Sequence, residues 1–148
     1  MANYFTNFSF IVPLTSADQQ AYALNLQQQM SSVAQGGEVP EGFPPMLADS
    51  CEGCFFEADP SGVNQLWLHS DSGDTDAVCS YVQHLVQKFN LGPVSFEWSH
   101  DCSKPRVDAF GGGAAVITAR EIKTFTTSGW LHKQAAARMK AIKISKLR

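Results

Sequence analysis

No apolar run in this chain approaches the roughly eighteen residues that a membrane-spanning helix needs. The opening stretch MANYFTNFSFIVPL also lacks the basic start and small-residue cleavage site of a secretory signal. Both absences argue against membrane insertion and export, and the expectation is a soluble, cytoplasmic protein. Cysteine is sparse. Cys51, Cys54, Cys79 and Cys102 are too few and too scattered to staple a secreted domain of 148 residues, so the thiols are expected to be reduced. Charge is modest too: 17% charged against 44% hydrophobic residues excludes the regime in which chains stay disordered.

Several signatures of chemistry are missing as well. No GK[ST] follows the three glycines Gly111, Gly112 and Gly113, so the order of a P-loop fails. No second CxxC and no HxxxH accompanies Cys51-Glu52-Gly53-Cys54 to complete a four-ligand zinc set. No segment resembles the KGFGFVxF signature of RNA-binding sheets, and none repeats another.

Acid is absent from one end. Residues 132–148 hold six basic side chains and no carboxylate, hence +6, whereas residues 1–131 hold fourteen acids and five bases, hence −9. Such a division is a partner signal, because each field attracts the opposite sign over a Debye length of about 8 Å.

What is present reads as one domain over residues 1–131 followed by a basic tail over 132–148. In YFTNFSFIVPL, Tyr4, Phe8, Phe10, Val12 and Leu14 alternate with more polar positions, the pattern of a half-buried strand ended by Pro13. Ser16 then starts a helix to Ala34 with a stripe of Tyr22, Leu26, Met30 and Val33 and its glutamines mostly in solvent. GGEVPEGFPPM is a loop, and CFFEA and VNQLWLHS form a hairpin around Asp59-Pro60-Ser61-Gly62. A second helix, capped by Asp74 or Thr75, carries Ala77, Val78, Tyr81, Val82, Leu85, Val86 and Phe89 at three- and four-residue spacing. It is expected to end on a left-handed Gly92 before Pro93. Val94, Phe96 and Trp98 alternate along a strand, and AAVITAREIKTFT is one further strand. This order, βαββαβ plus an extra C-terminal strand, predicts an α+β fold of the ferredoxin-like split β-α-β kind, with two helices on one face of an antiparallel sheet. The tail from His132 is alanine- and lysine-rich, a composition able to form a helix, but it has no acidic partners for stabilising pairs and is expected to be a flexible terminus.

Each candidate site has a plainer alternative. Lys104, Arg106, Gly111, Gly112, Gly113 and Arg120, with Lys123, can converge on a phosphate or nucleotide; otherwise the glycines mark a bulge, a corner or a close approach of backbones. His100 and Cys102 share a strand face as a thiol dyad, but Asp101 points away, which removes the third member. Cys51, Cys54, His100 and Cys102 make a weak zinc set of unusual spacing, while Cys79 belongs to a helix core. Trp67, Phe96 and Trp98 can stack on bases only in basic surroundings, and theirs are acidic, so they are expected in the core.

The reading that follows is a small interaction module with an acidic body, acting as inhibitor or adaptor of a basic protein partner rather than as an enzyme, with no cofactor. Phosphate or nucleotide binding and thiol chemistry are the alternatives. Direct nucleic-acid binding is expected only through the basic tail, and an exposed strand edge would invite a homodimer.

Overall fold

A computed structural model describes residues 1–147; Arg148, the last base of the tail, lies outside the described residues. Strand β1 (Tyr4–Val12) forms where the alternation predicts, and Pro13 ends its ladder. Helix α1 (Ala17–Ala34) is capped by Ser16, whose hydroxyl accepts the Gln19 N–H at 3.2 Å. Its buried stripe is Ala23, Leu26, Gln27 and Met30. Gln27 was expected in solvent; it is buried because its amide donates to the Phe56 carbonyl at 2.7 Å, satisfying two polar groups at once.

The segment after α1 is more than a linker. Its short 3-10 turns, Pro45–Leu47 and Asp49–Gly53, sink Leu47 and Cys51 into the core alongside Phe43, Cys54 and Phe56. Strands β2 (Glu57–Ser61) and β3 (Gln65–Ser70) make the hairpin, but the turn falls later than DPSG. Ser61 pairs with Gln65, and the three residues between them bend with φ of 53° at Gly62 and 64° at Asn64. Pro60 is tolerated inside β2 because that strand lies at the sheet edge, where a missing N–H breaks no ladder bond.

Helix α2 (Thr75–Phe89) starts at Asp74, whose carboxylate accepts the Asp76 N–H at 2.9 Å. It ends two residues earlier than the sequence suggests: Asn90, not Gly92, takes the left-handed cap at φ 51°. Strand β4 (Val94–Cys102) follows, and the last β-rich run divides into β5 (Gly111–Ile117) and β6 (Ile122–Thr126). Thr118 makes the division, since its hydroxyl accepts the Glu121 N–H at 3.2 Å and its own N–H reaches the Glu121 carbonyl at 2.9 Å.

The result is α+β: one six-stranded antiparallel sheet in the order β2-β3-β1-β4-β5-β6, with three helices, among the described residues. Residues opposite one another in an antiparallel ladder share a face. One face carries Leu66, Leu68, Phe8, Val12, Phe96, Trp98, Ala115 and Ile117, and these join the α1 and α2 stripes in a single core cluster. No helix among the described residues is long and apolar enough to cross a membrane.

Residues 132–146 of the basic tail belong to a further helix. Helix α3 (Thr127–Lys146) is capped by Thr126, whose hydroxyl accepts the Gly129 N–H at 3.0 Å, and none of its residues is buried. Alanine content and this cap favour helix despite the absent acid–base pairs.

The three glycines answer a packing need. None adopts positive φ; all sit within the β5 ladder, opposite His100, Ser99 and Trp98. A Cβ on Gly113 would overlap the Trp98 indole and come within 2.5 Å of the Phe125 carbonyl oxygen, and one on Gly112 would come equally close to the Trp98 carbonyl oxygen. Gly113→Ala is therefore expected to destabilise the chain by about 1–3 kcal/mol in urea unfolding. Gly92→Ala meets open space at an ordinary φ and should stay within about 0.5 kcal/mol of the parent, so equal effects would contradict the packing role.

Candidate functional site

The sheet has a second face, and neither α1 nor α2 covers it. The ladder registers place its residues in rows: Glu57, His69 and Ser9; Asp59, Trp67 and Ile11; Phe5 and Asp101; Glu97, Ala114 and Phe125; Ser95, Val116 and Lys123. Glu57, Asp59 and Glu97 are exposed and Asp101 is half-buried, while Lys123 is the one lysine or arginine on these rows. Exposed apolar groups lie among them, with Trp67 and Ile11 each 39% exposed and Phe125 52%. Pairs of carboxylates beside apolar area, with few counter-charges, concentrate a negative field over a surface able to bury hydrophobic contact.

Part of this face is held rigid. Trp67 donates its indole N–H to the Ser9 hydroxyl at 2.8 Å and stacks on His69, its neighbour two residues along β3, with centroids 3.8 Å apart and planes 25° from parallel. His69 Nε2 lies 2.7 Å from Asp59 Oδ2 on the adjacent strand. An open hollow of about 460 Å³ borders the stack, between Phe55, Glu57, Trp67, His69 and Asp71. A flat aromatic surface ringed by acids suits a lysine or arginine side chain. Trp67 thus departs from its expected core role, whereas Phe96 and Trp98 occupy the core as foreseen.

The anion-binding candidates are divided by the fold. Lys104 and Arg106 sit together and exposed in the β4–β5 loop, where the Arg106 N–H donates to the Lys104 carbonyl at 2.8 Å. Arg120 lies in the turn at the opposite end of β5, a strand of seven residues, or roughly 20 Å away. Gly111, Gly112 and Gly113 form ladder, with the close backbone approach of the plainer reading rather than an anion-binding turn, and the Gly112 N–H is taken by the Thr127 hydroxyl at 3.1 Å.

His100 and Cys102 do share a face of β4, but the His100 ring bonds Thr6 Oγ1 at 3.0 Å, and Asp101 on the other face accepts from the Asn7 amide at 3.3 Å. Cys51 and Cys54 are sealed in the core beneath α1 and α2, with the Cys51 thiol donating to the Leu47 carbonyl at 3.3 Å. They are thus kept from His100 and Cys102. No three metal-ligating side chains gather among the described residues. Burial, with the nearby Cys51 and Glu57 charges, pushes the Cys54 thiol up to about 12; burial, with Asp76 and Asp74, does the same to Cys79. Iodoacetamide at neutral pH should therefore label half-exposed Cys102 and spare Cys51, Cys54 and Cys79. Labelling of all four at one rate would contradict this burial.

Sequence reasoning missed a second cluster, between α1 and α2. Tyr22 Oη and His84 Nε2 are 2.8 Å apart, and the Lys88 ammonium lies 4.6 Å from the Tyr22 ring centre. Burial, then the Lys88 charge, lowers the His84 pKa, so the imidazole is neutral at physiological pH. The signal was the i, i+4 pair His84/Lys88 on α2, but its partner lies on another helix. The sign of the pH effect follows. An unfolded histidine takes a proton near pH 6.5, the folded one resists, and the unfolded state then binds more protons. Stability should fall as pH drops below about 6.5, and His84→Gln should flatten that loss in thermal melts; an unchanged slope would refute it.

Comparison with protein-family models, curated proteins and solved structures finds no match to this chain.

Proposed function

We propose that the chain is an interaction module whose uncovered sheet face recruits a basic protein partner, acting as an adaptor or inhibitor by occupying that partner's cationic surface. The observation that carries the reading is the composition of the face: Glu57, Asp59, Glu97 and Asp101 against the single Lys123, interleaved with Ile11, Trp67, Val116 and Phe125. Apolar area supplies affinity once water is excluded, and the carboxylates supply long-range attraction and reject anionic competitors. In that field, the Trp67–His69 stack favours a cationic side chain over a base flanked by phosphates.

The scaffold beneath has a corresponding interpretation. We read β1 to β4 with α1 and α2 as a ferredoxin-like split β-α-β unit, supported by the neighbour order β2-β3-β1-β4 and its antiparallel pairing. In this reading β5 and β6 widen the binding face.

A helical lysine/leucine peptide is the probe, with tryptophan fluorescence as the readout, because Trp67 lies on the face. Saturable binding that weakens with salt is expected. Glu57→Lys/Glu97→Lys should lower affinity about tenfold or more, while Lys104→Ala/Arg106→Ala leaves it unchanged. Peptide affinity indifferent to the charge reversal, or preferential binding of a polyanion, would overturn the proposal.

A further inference from the structure

Helix α3 is the other unpartnered surface of the molecule. Its twenty residues span about 30 Å, none of them is buried, and they include Lys133, Arg138, Lys140, Lys143 and Lys146 without one acid. A solvated helix has no use for Trp130, Leu131, Met139, Ile142 and Ile144, all about half exposed or more. These apolar groups do not form one greasy stripe. At steps of three and four residues, Trp130, Lys133, Ala137, Lys140 and Ile144 instead line up as a single stripe that alternates apolar and basic side chains.

The chain contains the surface that such a stripe fits. The uncovered sheet face mixes carboxylates with exposed aromatic and aliphatic groups, and six strands set it about 24 Å across, close to the length of α3. Within one molecule the two stay apart: Thr126 caps the helix, and the Thr127 hydroxyl ties it to Gly112 at the end of β5. We propose that α3 of one copy lies across the uncovered acidic sheet face of a second copy. Helix and face occur once each per chain and carry opposite charge, so two chains satisfy both in one closed, two-fold pair. Charge complementarity selects this occupant: residues 1–131 carry −9 and residues 132–148 carry +6. The inference rests on the recruiting role of the face and names its basic partner as the chain itself.

The test uses the full chain in sedimentation equilibrium at about 50 mM and about 500 mM salt. The parent should form a dimer that weakens several-fold at the higher salt. Lys133→Glu/Lys140→Glu makes the two charged positions of the stripe acidic and sets them against an acidic face, and Glu57→Lys/Glu97→Lys sets the basic stripe against a face whose net charge is reversed. Each variant alone should lose about tenfold or more in association. An equimolar mixture of the two places opposite charges at both contacts and should dimerise nearly as well as the parent. Rescue of this kind requires folded variants, so loss of folding cannot mimic it. A parent chain that stays monomeric, a dimer indifferent to either variant, or a mixture without rescue overturns the inference. A monomeric parent whose face still binds the lysine/leucine peptide removes self-docking alone and leaves the recruiting role intact.

Discussion

A sheet has two faces to keep from water, and in this chain α1 and α2 supply helix for one of them. The buried stripes of α1 and α2 press on Leu66, Leu68, Val12, Phe96 and Ile117, and that contact decides which side of every strand is hidden. Because side chains alternate, fixing one face fixes the other. Glu57, Asp59, Glu97 and Asp101 come together from strands far apart in sequence for that reason alone. A one-residue slip of any strand would exchange its acids for core residues, so the same packing that stabilises the fold also assembles the surface.

The glycines of β5 belong to this constraint. Trp98 is the largest side chain on the inner face of β4, and Gly113 opposite gives its indole a place to lie. Flanking Gly112 and Gly111 let the β4 backbone and Thr127 approach. What looks like a ligand loop in the sequence is the cost of seating one tryptophan near the end of a sheet, and it also sets where α3 departs.

Much of the fold was legible because it depends on local periodicity. The α2 spacing, the Ser16 and Asp74 caps and the alternation of Val94, Phe96 and Trp98 each need only neighbours along the chain. Failures fall where distant groups decide or where neighbouring turn residues compete. Gln27 is buried by a carbonyl 29 residues away. Pro60 reads as a turn residue unless β2 is known to be an edge. Asn90 competes with Gly92 for one cap, and composition alone favours glycine. Thr118 divides a β-rich run through bonds to its own turn. The open face was legible only as a net charge: its rows depend on registers between β2, β3, β1, β4 and β5, which no single segment encodes. The Tyr22–His84 pair was hidden likewise, since its members lie on different helices.

The central claim is that the face opposite α1 and α2 is both open and negative. Soluble nitroxide probes, one cationic and one neutral, measure this directly through paramagnetic broadening of methyl signals. The Lys133→Glu/Lys140→Glu chain keeps the face free for the comparison. The account predicts that the cationic probe broadens the methyls of Ile11, Ala114 and Val116 several-fold more than the neutral one, while Leu66, Leu68 and Ile117 respond to neither. Equal broadening by both probes, or broadening of the Leu66 and Ile117 methyls to the same degree, would contradict it.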